Sequence, residues 1–220
     1  MTSKPTPLLR LLFSSITGLT VLVVSLAVPT ARVHSAAASL APALPGLKVF
    51  IRQVMNGDPE QLRGIYARDL FASVVLQQPA GYPSFISRDS GALTQFGNAS
   101  DLGSTGLLAH NSLAGRHFSQ LRAGQIIYLV YGDGHLQTFV VTQALRYRAL
   151  QPKSEQSDFE DLSSGAHLGA PGLFLSIYGR RGALVFQTCI EADGNPNWGR
   201  LFIIAVPSGS GAQHRYLSAA

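Results

Sequence analysis

The hydrophobic positions along the chain change their spacing near residue 57. Before that point Leu47, Phe50, Ile51 and Val54 repeat at intervals of three and four residues, which predicts one face of a short helix over residues 47–56. Beyond it the apolar runs are short and are separated by glycine, proline and other turn residues. That pattern is typical of strands.

The apolar runs predict a series of short strands and few helices. A Gly-Asp-Gly turn at 132–134 predicts a hairpin of two of these strands, because glycine supplies the positive φ that tight hairpin turns need. Ser157 and Glu160 have capping-box spacing and predict the start of one or two helical turns, and a further short helix is expected from Gly172 to Tyr178. The predicted strands cover residues 64–67, 74–76, 85–87, 106–110, 125–131, 136–142 with continuation to 150, 183–189 and 200–206. Strands this short, with a turn about every ten residues, favour a mostly β fold. We expect a closed or nearly closed barrel of about eight strands with a few short helices.

The N-terminal segment has the pattern of an export signal. Lys4 and Arg10 precede an apolar stretch over residues 11–28, and small residues follow at 35–38. Residues 1–38 are therefore predicted to be a cleaved signal peptide or, since the stretch approaches the ~20 residues that span a bilayer, an uncleaved N-terminal anchor. Either interpretation puts the remainder outside the cytoplasm, secreted or held at the outer face of the membrane. Residues 39–62 are expected to be a linker and short helix, 63–207 the barrel domain, and 208–220 a mobile tail.

The positive charge of the chain does not indicate a nucleic-acid-binding protein. The formal net charge is +5, but three of the 17 basic residues, Lys4, Arg10 and Arg32, lie in the N-terminal segment, and the first acidic residue is Asp58. From Ser39 onward 14 basic residues face 12 acidic ones, a net charge of +2. No stripe of basic residues with interleaved aromatics is present in the sequence, so nucleic acid is not expected among the partners.

Cys189 is the single cysteine of the chain, so it cannot form an internal disulfide. It is a small buried hydrophobe, an intermolecular bridge or a reactive thiol. Cys189 ends a predicted strand, Arg200 opens the next strand after what looks like a ten-residue turn, and His110 ends another apolar run. Side chains of these three types at neighbouring strand ends can supply a nucleophile, a proton carrier and a charge for an oxyanion.

Residues 185–189, Val-Phe-Gln-Thr-Cys, resemble the sortase signature Thr-Leu-x-Thr-Cys, with the arginine of that family at the start of the next strand. Residues 108–111, Leu-Ala-His-Asn, resemble the histidine segment of the same family. The resemblance covers residues 63–207 and keeps the order His, Cys, Arg. Val185 and Phe186 depart from the signature and leave the sortase subclass and the substrate open.

The resemblance implies a sortase-type barrel and a cysteine transpeptidase activity. Cys189 would form a thioester with a sorting-signal peptide, His110 would carry protons, and Arg200 would hold the substrate and the oxyanion. The residues implied in substrate binding are Thr188, Asn111 and Trp198, and residues 151–182 would form a loop that shapes specificity. The implied partners are exported proteins with a C-terminal sorting signal and an amine acceptor from the cell wall or a pilin.

Several alternatives accompany this interpretation. His117 competes with His110, and Arg180 and Arg181 compete with Arg200. The activity could instead be that of an exported cysteine endopeptidase, which transfers the acyl group to water, or the chain could be a non-catalytic barrel that binds a wall component. No cofactor is expected. The acidic residues over 155–161 are interpreted as a solvated loop, with a Ca²⁺ ion that orders the loop as the alternative, although their spacing is not a specific Ca²⁺ ligand pattern.

Overall fold

The computed structural model describes residues 44–154 and 156–208. The predicted signal peptide or anchor and the predicted tail beyond Ser208 lie outside the described residues. Within the described ranges no helix has both the length and the apolar character that a membrane crossing requires.

Ten strands, three α-helices and one 3₁₀-helix make up the described chain. The helices are α1 (Leu47–Val54), α2 (Gly97–Asp101), the 3₁₀-helix (Ala114–Gln120) and α3 (Ala170–Tyr178). The first five strands are β1 (Leu62–Ala67), β2 (Phe71–Gln77), β3 (Ala92–Phe96), β4 (Thr105–Leu108) and β5 (Ile126–Tyr131). The others are β6 (Leu136–Ala149), β7 (Phe159–Asp161), β8 (His167–Leu168), β9 (Leu184–Ala192) and β10 (Asn195–Pro207).

Eight of the strands close into a barrel. Their order around the ring is β1, β2, β3, β4, β9, β10, β6, β5, and β5 pairs again with β1. Most neighbours are antiparallel, but β2 with β3 and β4 with β9 run parallel. The short strands β7 and β8 extend the sheet beyond β6. The predicted mostly β, closed barrel of about eight strands with few helices is confirmed.

The core of the barrel is filled by side chains from every side of the ring. Ile65, Leu93, Phe186 and Leu201 point into it from different strands, and the 3₁₀-helix closes one end with the ring of Phe118. Each fully buried aromatic or branched side chain of this kind stabilises the fold by about 1.5–3 kcal/mol. The core therefore fixes the strand register on which the site depends.

A second apolar cluster lies on the outer face of β9 and β10, beneath α3. Side chains alternate along a strand, and in β9 Leu184 and Phe186 join the barrel core while Val185 joins the outer cluster with Phe202 and Tyr178. By the same alternation Cys189 belongs to the outer face. The predicted helix before the cysteine strand is thus confirmed as α3, and it covers the sheet next to Cys189.

Two local expectations were wrong. Residues 157–160 do not begin a helix, because Phe159 starts strand β7. The Phe159 side chain is only 6% exposed and packs in the outer apolar cluster. The Ser157 hydroxyl bonds to the Gln151 amide and the Asp158 carbonyl instead of capping a helix. Residues 85–87 form no strand, and the strand of this region is β3, which begins at Ala92.

Candidate active site

Cys189 and Arg200 face each other across two antiparallel strands. The pairing of β9 with β10 sets Arg200 directly opposite Cys189. Directly opposed residues of an antiparallel pair project to the same face, with Cβ atoms about 4.5–5.5 Å apart. The guanidinium and the thiol therefore share the outer face of the barrel.

His110 reaches the same position from the other side of β9. Strands β4 and β9 are parallel, and their register sets Leu108 opposite Gln187. Two further residues bring His110 level with Cys189. The contact between the two segments continues past the end of β4, since the Ala109 amide donates to the Gln187 carbonyl at 3.3 Å.

The three predicted catalytic residues thus form a row: Arg200 pairs with Cys189 across β10 and β9, and the β4–β9 register, extended two residues past the end of β4, places His110 on the other side of Cys189. His110, Cys189 and Arg200 are each half-buried. A half-buried side chain on a sheet surface is held by its neighbours and still accessible to a substrate. The arrangement can bring a thiol, an imidazole and a guanidinium to one carbonyl group.

Arg200 is anchored by its own hairpin. Its Nη1 donates to the carbonyls of Gly199 at 3.0 Å and Asn197 at 3.3 Å. Its guanidinium carbon lies 5.9 Å from the centroid of the Phe159 ring, within the range of a cation–π contact. The side chain is thereby restrained beside Cys189.

The competing arginines lie at the other end of β9. Arg180 donates to the Ser176 carbonyl and to the Gln143 side chain. Gln143 pairs with Ile204, which is four residues along β10 from Arg200, or roughly 13 Å at the rise of a strand. Arg181 packs near Gly103, before β4 begins. Neither side chain shares the row of Cys189.

The competing histidine, His117, lies on the 3₁₀-helix and stacks on Phe71 with ring centroids 5.5 Å apart. Burial, and to a smaller extent the charge of Arg116, lowers the pKa of His117 below its usual value. These surroundings favour the neutral imidazole, which packs against an aromatic ring of the barrel core. This is a packing environment, and it differs from the sheet-surface position of His110.

The turn between Cys189 and Arg200 differs from the ten-residue turn that the sequence suggested. Strand β9 continues to Ala192, and Asp193 and Gly194 form a two-residue turn with φ of 52° and 71°, as in type I′ hairpins. The ladder is interrupted only between Asn195 and Gly199. The three residues between them oppose Glu191 alone and bulge out of the strand.

Asn197 lies in this bulge and was not predicted. Its side-chain oxygen is 3.5 Å from the Cys189 sulfur, which donates to it. The Asp-Gly dipeptide at 193–194 is the one sequence signal from which a shorter, two-residue turn could have been predicted. Even so, a bulge cannot be inferred from it, because bulges depend on how both strands pair.

The predicted substrate-binding residues have different surroundings. Thr188 is 5% exposed, and its hydroxyl donates to the Ala109 carbonyl at 2.8 Å. The hydroxyl therefore bonds to backbone and does not share the outer face of the sheet with Cys189. Asn111 is half-buried and donates to the Pro196 carbonyl at 3.5 Å, which links the histidine segment to the bulge. Trp198 is half-buried within the bulge itself.

A partly buried hydrogen bond lies next to Cys189 on the outer face of β9. Gln187 lies two residues before Cys189 on the same face, and its side-chain oxygen accepts from the Tyr178 hydroxyl. Burial strongly raises the pKa of Tyr178, so the phenol stays protonated and donates. Among the residues that the structure describes, no group of three or more His, Cys, Asp or Glu side chains is arranged to hold a metal ion.

Comparison with known proteins gives a structural likeness only. No protein-family model matches the chain, and no curated protein sequence matches it. Similar solved structures include sortase A from Listeria monocytogenes, with 12% identity and a TM-score of 0.42 over 67% of this chain and 86% of that one. Sortase C-1 from Actinomyces oris has 13% identity and a TM-score of 0.44 over 74% and 82%. Sortase C from Clostridium perfringens has 10% identity and a TM-score of 0.41 over 74% and 84%. Identities and TM-scores this low do not decide what the chain does.

Proposed function

We propose that the chain is a sortase-like cysteine transpeptidase. The observation that carries this proposal is that Arg200 pairs opposite Cys189 on β10, while His110 follows the end of β4, the strand on the other side of β9. The half-exposed thiol also argues against a purely structural cysteine.

In the proposed reaction the Cys189 thiolate attacks the carbonyl carbon of a peptide bond. The carbon–nitrogen bond breaks, His110 gives a proton to the leaving amine, and a thioester forms. An incoming amine then attacks the thioester, loses a proton to His110, and displaces the thiolate. Arg200 stabilises the oxyanion of each tetrahedral intermediate.

The proposed substrates are exported proteins with a C-terminal sorting signal, cleaved at a Thr-Gly-like bond. The proposed acceptor is an amine of the cell wall or of a pilin. With this role the enzyme works outside the cytoplasm, either secreted or held at the membrane by residues 11–28.

The test is thioester formation, followed by intact mass spectrometry with a panel of peptides that contain a Thr-Gly bond. The wild-type chain should gain the mass of the acyl fragment. Cys189→Ala and Arg200→Ala should not, while Arg180→Ala, at the far end of β9, should behave as wild type. A Cys189→Ala variant that still cleaves the peptides would refute the proposal.

Product analysis separates transfer from hydrolysis. With added amine, such as an oligoglycine, the acyl fragment should appear mainly in the amide product. If the product is the free acid at every amine concentration, the chain is a cysteine endopeptidase. A chain that never acylates and whose native thiol resists iodoacetamide is a non-catalytic barrel.

A further inference from the structure

The segment that carries His110 is not held by regular strand pairing. Strand β4 ends at Leu108, two residues earlier, so no ladder fixes the histidine beside Cys189. The backbone around it is instead held by a buried contact on the inner side of the sheet. This contact involves Thr188 from β9 and Gly115 from the 3₁₀-helix.

Thr188 connects the cysteine strand to the histidine segment. Neighbouring residues of a strand project to opposite faces, so when Cys189 faces outward Thr188 faces the barrel interior, where its hydroxyl donates to the Ala109 carbonyl at 2.8 Å. One hydroxyl therefore joins the residue before the nucleophile to the residue before the histidine. This buried hydrogen bond fixes the position of the Ala109 backbone relative to β9, and its loss would leave the Ala109 carbonyl without its side-chain donor.

Gly115 closes the contact from the other side. A Cβ atom at this position would lie 2.4 Å from the Thr188 hydroxyl oxygen, 2.7 Å from the His110 carbonyl oxygen and 2.9 Å from the Ala109 carbonyl oxygen. Real Cβ atoms do not approach that closely, so only glycine fits. The Gly115 amide also donates to the His110 carbonyl at 3.1 Å. The 3₁₀-helix thus contacts the backbone of His110 directly.

We propose that Thr188 and Gly115 are positioning residues that hold His110 in the row of Cys189. They act through the backbone of residues 109 and 110 and do not touch the substrate. This inference rests on the proposed function, in which the imidazole acts on the thiol. It assigns the threonine before the nucleophile a role on the inner face of the sheet.

The experiment measures alkylation of Cys189 by iodoacetamide, which needs no knowledge of the substrate. The chain has a single cysteine, so every label reports on this thiol. A nearby positive charge favours the thiolate, whereas at pH 10 an ordinary thiol is ionised without help. The ratio of the rates at pH 7 and pH 10 therefore separates electrostatic assistance from simple access.

His110→Ala should lower this ratio about fivefold, an order-of-magnitude expectation for removing an imidazole that can accept the thiol proton and pair with the thiolate. Thr188→Val, which has nearly the same shape, should lower it to a similar extent although it changes no charge. Thr188→Ser, which keeps the hydroxyl, should stay near wild type. Gly115→Ala should lower the ratio as Thr188→Val does. If Gly115→Ala does not fold, the comparison of Thr188→Val with Thr188→Ser tests the inference by itself.

The double variant His110→Ala/Thr188→Val provides the control for general loosening. If Thr188 acts through His110, the double variant should have the ratio of His110→Ala alone. A wild-type ratio in Thr188→Val, or a full further loss in the double variant, overturns the inference and leaves the proposed function intact. An unchanged ratio in His110→Ala refutes the proposed pair of thiol and imidazole, and the inference falls with it.

Discussion

Tyr178→Phe tests the packing beside Cys189 with the smallest available change. The Tyr178 ring is fully buried and packs against Phe96, Phe174 and Phe202, with centroids 5.2–6.4 Å away. The substitution keeps these contacts and removes only the hydroxyl that donates to Gln187. The side-chain oxygen of Gln187 then loses its donor in a half-buried site.

The cost follows from that hydrogen bond. A net contribution of about 1 kcal/mol, with part of the penalty for an unsatisfied acceptor, gives a loss of about 1–2 kcal/mol in the free energy of unfolding. For a domain of this size each kcal/mol lowers Tm by about 2–4 °C, so Tm should fall by about 2–8 °C. Urea unfolding followed by circular dichroism measures the loss.

A second background makes the prediction sharper. In Gln187→Met the Tyr178 hydroxyl is buried without its partner, so adding Tyr178→Phe should then be neutral or stabilising. Tyr66→Phe is the matched control, because Tyr66 is buried and its hydroxyl makes no hydrogen bond within residues 44–154 and 156–208. Tyr66→Phe should change stability by less than about 0.5 kcal/mol. An equal cost of Tyr178→Phe in both backgrounds would show that the hydrogen bond is not what stabilises this region.

Two further predictions concern charge. Arg200→Lys keeps the positive charge but loses the planar guanidinium with its paired donors, so thioester formation should slow about 100-fold while the free energy of unfolding changes by about 1 kcal/mol. Arg180→Lys is the control. Equal rates of thioester formation for wild type and Arg200→Lys would contradict the role proposed for Arg200. Burial raises the pKa of Tyr178 above its unfolded value, so its contribution to stability is complete below about pH 10 and is lost as the pH rises further, by up to about 1.4 kcal/mol per pH unit. Urea unfolding at pH 9 and pH 11 should show a smaller alkaline loss in Tyr178→Phe, and an unchanged loss would mean that Tyr178 is not the group responsible. Some loss should persist, because burial also raises the pKa of Tyr131 and Tyr147.

The sequence was informative where the signal was local. The hairpin of β5 and β6 followed from its glycine turn, and α1 followed from the spacing of its apolar residues. Strand β3 gave no such signal, since Thr94 and Gln95 interrupt its apolar residues. Tertiary packing of Phe159 overrode the capping pattern at Ser157.

The site divides in the same way. The approach of Arg200 to Cys189 could be predicted, because the two strands are consecutive and consecutive strands commonly pair. The contact between Thr188 and Ala109 and the bulge that brings Asn197 to the sulfur depend on register. Register is set by the packing of the whole ring, so these details could not be obtained from the residues alone.

The parallel pairing of β4 with β9 couples chemistry to completion of the fold. The β9–β10 hairpin can bring sulfur and guanidinium together early, since its two strands are joined by two residues. The imidazole lies 79 positions upstream and is brought to the sulfur only by the pairing of β4 with β9. A chain in which β4 and β9 had not paired would keep the thiol beside the guanidinium but lack the imidazole, so activity of the proposed enzyme would report that these two strands have joined.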